Sequence, residues 1–176
     1  MKMNRILWTF LAVIVAFSVA EAFLDRKAQQ LVNGICKKTT DTKYCSEVLV
    51  KNLVTPTPSN KDLMNVTLRE AERFSANANF FIGTLLRNAG DERPDLQMCA
   101  AAYTIVNIAL RNAVSYFDEA SYSKIPKLED KVAKAVGICK TDFNVPGYKI
   151  NPMIERNRVM LILTNMAKIV SHMISS

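Results

Sequence analysis

Met64, Leu68, Ala71, Ala78, Ile82 and Leu85 recur at three- and four-residue steps, with Ser75 filling one place and Phe74 and Phe81 widening the stripe. That is the period of an α-helix with one buried face. The same period returns in Cys99, Tyr103, Val106, Leu110, Ala113 and Phe117. It returns again in Leu128, Val132, Ala135 and Cys139, and in Val159, Leu163, Met166, Val170 and Met173. No alternating strand-like run competes with these stripes. The spacing predicts helices over residues 62–88, 96–117, 126–142 and 154–174. The breaks between them are short: "NAGDERPD" at 88–95, and "NVPGYKINP" at 144–152. Short links make consecutive helices antiparallel neighbours, so the expected fold is all-α, an up-down-up-down four-helix bundle.

Two shorter helical stretches, 25–36 and 43–53, precede "TPTPSN" at 55–60, whose two prolines break the chain. They form an N-terminal helical hairpin with a polar turn at 37–42. The expected organisation is a leader at 1–22, the hairpin at 23–58 and the bundle at 59–176. The leader reading rests on Lys2 and Arg5, an apolar run from 6 to 20, and Ala20-Glu21-Ala22 at peptidase spacing. The run is short for a bilayer span, so a secretory signal cut before Phe23 is expected, with an N-terminal anchor as the alternative.

Secretion would place the four cysteines in an oxidising compartment, where an even number favours disulfides. Zinc is disfavoured by the wide spacing and by His172 being the sole histidine. In an antiparallel bundle the start of the second long helix lies beside the end of the third, so Cys99 can meet Cys139. Cys36 and Cys45 lie on the two arms of the hairpin. Chain-entropy reasoning gives the two bridges roughly 3 and 4 kcal/mol.

The formal charge is +7. Losing two cations and one anion with the leader leaves +6. A basic secreted protein is drawn to acidic partners: a polyanionic matrix, an acidic enzyme surface or anionic lipid. Nucleic acid is not expected, for want of a dense Arg/Lys run, and no later segment reads as a membrane span. No nucleophile–base set, phosphate loop or metal cluster stands out, so neither an enzyme nor a cofactor is expected. Asn65-Val66-Thr67 is a glycosylation sequon, with Asn65 expected in a first helical turn, off the buried stripe.

"LVNGICKKTTDTKYCSEVL" (31–49), with eight residues between its cysteines, resembles the plant pectin methylesterase and invertase inhibitors. So does "LQMCAAAYTIVNIAL" (96–110), where a tyrosine stands four positions after the cysteine. Cys139 then follows thirty-nine intervening residues on, with Asp142-Phe143 behind it. The resemblance spans 23–176. It implies a four-helix bundle with an N-terminal hairpin and disulfides Cys36–Cys45 and Cys99–Cys139. It also implies a non-enzyme that blocks a target's substrate cleft in a one-to-one complex.

The resemblance leaves the target open. Methylesterase inhibitors tend to carry acidic or polar residues where this chain has Ala101, Ile105 and Ile108. They also tend to have threonine and an acidic residue where it has Ile138 and Thr141. Invertase inhibitors are similar in having small or apolar residues at the helix positions. Their Pro-Lys-Phe motif falls at the spacing of Tyr122-Ser123-Lys124. Ile125-Pro126-Lys127-Leu128 looks like that motif four residues late, or is simply a helix start with a solvated lysine. Ala101, Ile105, Ile108 and Asn112 lie two residues out of phase with the Cys99–Leu110 seam, about 200° around the helix. They are expected either to form a contact surface or to be covered by the hairpin or a loop. Besides enzyme inhibition, two other classes fit: a non-inhibitory wall or pollen protein binding acidic polysaccharide, and a small lipid-binding helical protein.

Overall fold

A computed structural model describes residues 24–139 and 151–175. The leader reading, the Thr141 and Asp142-Phe143 positions, and most of the 144–152 loop lie outside the described residues. Among those described there are six α-helices and no strand. They are α1 Arg26–Cys36, α2 Thr42–Asn52, α3 Asn60–Arg87, α4 Arg93–Asp118, α5 Ile125–Ile138 and α6 Ile154–Ser175. A single 3-10 turn, Tyr122–Lys124, leads into α5. α3 and α5 each pack against both α4 and α6, while the backbones of the diagonal pairs stay apart. This is the expected up-down-up-down ring.

Local chemistry sets the helix starts. Asp25 caps α1 by accepting from the Ala28 amide at 2.6 Å. Asp41 caps α2 by accepting from the Tyr44 amide at 2.9 Å. α3 begins two residues earlier than its apolar stripe suggests, because Ser59 and Asp62 form a reciprocal capping box. α4 begins at Arg93, so Pro94 opens a helix instead of closing a loop. Proline lacks only an N–H that the first turn leaves unpaired anyway. Asn65 accordingly falls in the second turn of α3, not the first.

The hairpin extends the bundle by docking on it. Val32, Ile35 and Leu49 are fully buried and join one core cluster with Leu63, Met64, Leu68 and Leu163. Each such aliphatic side chain stabilises the fold by about 1.5–3 kcal/mol on burial. Both disulfides form as expected. Cα separations are 5.4 Å for Cys36–Cys45 and 4.6 Å for Cys99–Cys139.

The polar turn between the first two cysteines has specific partners. The Thr39 and Thr42 hydroxyls donate to the Cys36 carbonyl at 2.8 and 3.4 Å, satisfying the end of α1. Arg158 of α6 donates to Asp41 at 2.9 Å, and Asn165 of α6 donates to the Lys38 carbonyl at 3.1 Å. The Tyr44 amide and Arg158 together hold the Asp41 carboxyl below its ordinary range.

The seams also carry buried polar groups that periodicity does not announce. Tyr103 is fully buried. Its hydroxyl donates to Asn157 at 3.0 Å, and Asn157 donates to the Cys139 carbonyl at 2.9 Å. Glu129 is also buried, between α5 and α6. Its Oε2 accepts from Ser171 at 3.2 Å, while Oε1 has no hydrogen-bond partner. Burial pushes the Glu129 carboxyl up to about 8 from the 4.5 of a free glutamate, and Ser171 and Lys168 oppose this only in part.

A folded-state value above the unfolded one means the folded protein holds this proton more tightly. The stability linked to it is complete below pH 4.5 and is lost as pH rises towards 8. The thermal midpoint is therefore expected to fall across that window. Glu129→Gln should flatten the fall and raise the midpoint at its alkaline end by about 3 °C or more. Parallel pH profiles for the two proteins, followed by circular dichroism, would show that Glu129 is not the cause.

Candidate protein-docking face

α4 divides into a buried face and an exposed one. Cys99, Tyr103, Val106 and Leu110 point into the bundle and are all fully or almost fully buried. Ala101, Ile105, Ile108 and Asn112 lie on the opposite side and are exposed. Ile105 keeps 36% and Ile108 51% of its accessible surface. The hairpin packs on α3 and α6, away from this stripe. The hairpin therefore does not cover these residues.

Met98 extends the row, and Phe80 is a further exposed apolar residue on the neighbouring helix. Met98 stands seven residues, or about two turns, before Ile105, and is 41% exposed. Its seven-residue spacing was the available signal. Phe80 of α3 is 74% exposed. It stands eleven residues after Arg69, about three turns, and so shares the Arg69 side of α3. Arg69 reaches Asp118 of α4 at 3.0 Å, which puts that side of α3 along the flank of α4. Isolated exposed apolar residues are ordinary, but a row of them on one surface marks contact. From Met98 to Asn112 the row is about 21 Å long.

The candidate lysines stand at one end of this row. Lys124 closes the 3-10 turn, and its Nζ lies 4.8 Å from the centre of the Tyr116 ring. Tyr116 is one turn beyond Asn112, so the structure brings Lys124 to the end of the stripe. Lys127 is exposed in the first turn of α5. Pro126 lies beside it and only starts the helix.

Asn65 lies on α3 and is exposed, and its side-chain oxygen accepts from Arg69 at 3.4 Å. Thr67 of the same sequon is fully buried and donates to the Met64 carbonyl at 3.0 Å.

A concavity of about 320 Å³ lies elsewhere, between α3 and α6. Its charges are already engaged. Arg73 pairs with Glu70, Glu155 with Arg158, and Arg156 stacks 3.5 Å over the Phe81 ring. All four cysteines are disulfide-bonded. What the molecule presents is a two-bridge helical scaffold with an exposed apolar row on an outer helix, suited to docking on another surface.

The comparisons agree with a scaffold of that class. Residues 30–176 match the family described as plant invertase/pectin methylesterase inhibitor, and the chain belongs to it. The fold matches the crystal structure of a pectin methylesterase inhibitor from Arabidopsis thaliana with a TM-score of 0.62. That match is 14% identical and covers 82% of this chain and 96% of the other. No curated protein matches the sequence. As a member of this family the chain is an inhibitor of carbohydrate-active enzymes, not itself an enzyme. No described helix is long and apolar enough to cross a membrane.

The two faces of α4 should respond differently to the same substitution. Ile105→Asp and Ile108→Asp are expected to cost about 1 kcal/mol or less in denaturant unfolding, because both positions already face water. Val106→Asp places an unpaired carboxylate in the core and should abolish folding. Equal losses at 105 and 106 would contradict this division.

Proposed function

We propose that the protein is a secreted inhibitor of pectin methylesterase that lays the outer face of α4 over the enzyme's substrate cleft in a one-to-one complex. The observation that carries the docking is the exposed Ala101, Ile105 and Ile108 row, and the choice of methylesterase leans on the family and on the fold match to a pectin methylesterase inhibitor. An uncovered apolar row costs free energy in water and is relieved when a partner covers it. Its length suits one side of a standard protein interface. The row stands on a helical backbone tied by a disulfide, so it can dock with little further ordering of the chain. Asn112, Lys124 and Lys127 extend the contact at one end.

Acid invertase is the second reading. It is favoured by the absence of acidic residues at 101, 105 and 108, where this sequence is similar to the invertase inhibitors. The extracellular space, with the vacuole as the other acidic compartment, is the proposed location. Retention on acidic wall polysaccharide through the basic surface is the non-inhibitory reading.

The test is a titration of purified, oxidised protein into one methylesterase and one acid invertase at mildly acidic pH. Activity of one enzyme is expected to fall linearly to zero at equimolar protein. Ile105→Asp should remove the effect while remaining folded, and reducing the disulfides should weaken it. Full activity of both enzymes in excess protein would reject inhibition. Salt-sensitive binding to pectate in that case would support the polysaccharide reading.

Asn65 is proposed to carry an N-linked glycan. Because the Thr67 hydroxyl is enclosed in folded α3, the sugar must be attached before that helix packs. Material from a glycosylating host should lose mass on glycosidase treatment, and Asn65→Gln should lose none.

A further inference from the structure

α4 and α5 are held in a fixed antiparallel register by two contacts. Cys99 is bonded to Cys139 near one end. Tyr116 lies under Lys124 near the other. Between these points the outward residues of the two helices fall level with one another. Ala101 is opposite Ile138, Ile105 opposite Lys134, Ile108 opposite Lys131, and Asn112 opposite Lys127. The α5 residues are all exposed and recur at four-, three- and four-residue steps, so they too form one stripe. An apolar row and a cationic row therefore run side by side along the same face.

Among the described residues none of Lys127, Lys131 and Lys134 has an ion-pair partner. The acid nearest this cationic row, Asp130, lies within electrostatic reach of Lys134 but pairs with Lys168 of α6 at 2.8 Å. Glu129 points into the core. Three cations spaced over about 10.5 Å thus stand open beside Ile105 and Ile108. Such an arrangement fits an anionic surface and misfits a basic one.

We propose that the partner of this face is a folded protein bearing a row of carboxylates beside an apolar ridge, with the carboxylates seated on Lys127, Lys131 and Lys134. The proposal rests on the docking reading above and specifies its electrostatics. An acidic polysaccharide would meet the lysines but leave Ile105 and Ile108 against water. A protein surface covers both rows at once. Exposed charges of this kind act mainly on encounter, steering the partner in and fixing its register, while the apolar row holds it.

The experiment uses the full oxidised chain and whichever of the methylesterase and the invertase it inhibits. Wild-type association should slow on the order of tenfold as ionic strength rises from about 0.01 to 0.15 M. The triple variant Lys127→Glu, Lys131→Glu, Lys134→Glu should lose inhibition on the order of a hundredfold at low salt and lose that salt dependence. The triple Lys→Arg variant should behave as wild type. Circular dichroism and thermal melts should show both variants folded, since all three positions face solvent.

Unchanged inhibition and salt dependence in the Glu variant, with Ile105→Asp still inactive, would overturn the cationic row and leave the docking face standing. Loss of pectate binding in the Glu variant with inhibition intact would assign the lysines to polysaccharide and overturn it as well. If the wild type inhibits neither enzyme, the docking reading fails and this proposal falls with it.

Discussion

The carbonyl oxygen of Cys139 is the point on which three helices depend. It accepts from the side chains of Asn157 at 2.9 Å and Asn151 at 3.0 Å. It belongs to the residue that bonds Cys99, and Asn157 is itself held by the Tyr103 hydroxyl. A helix C-terminus leaves carbonyls unpaired, and burying one without a donor costs about 1–3 kcal/mol. Here the donors come from the residues leading into α6 and from α6 itself, while the covalent tie comes from α4. One satisfied carbonyl therefore joins α4, α5 and α6. Desolvation also raises the Tyr103 hydroxyl well above its ordinary range, so it remains a neutral donor.

A second polar tie works at the hairpin. The stretch between Cys36 and Cys45 is water-soluble in composition, which reads as an idle turn. Its threonines close α1, and Asp41 and the Lys38 carbonyl receive donors from α6. The bridge limits the shapes available to the turn, and these hydrogen bonds select one and fix its position on the bundle. The exposed ion pair between Arg158 and Asp41 is weak as an energy term, but it is specific as a register mark.

Much of this was legible from spacing. The apolar stripes located the four bundle helices, because burial of one face imposes a 3.6-residue period whatever the detailed packing, and the polar turn and the proline break bounded the two short ones. Antiparallel connectivity was enough to bring Cys99 to Cys139. The starts of α3 and α4 were less legible, since the Ser59 and Asp62 box and Pro94 act through backbone donors and not through hydrophobicity. Glu129 was hidden by its chemistry: a charged residue type on a predicted helix reads as solvated until the surrounding helices are placed. The outward stripe of α4 was visible from its phase, but its exposure was not, because only tertiary packing says where the hairpin goes.

The division of α4 has a consequence for how such a scaffold diversifies. The buried residues that pack the helix into the bundle lie on one side, and the exposed row lies on the other. The outer row can be rewritten residue by residue without opening a cavity or stranding a buried polar group. The same bundle is thus free to exchange one recognition surface for another, while the two bridges and the Cys139 junction keep the fold out of reach of that drift.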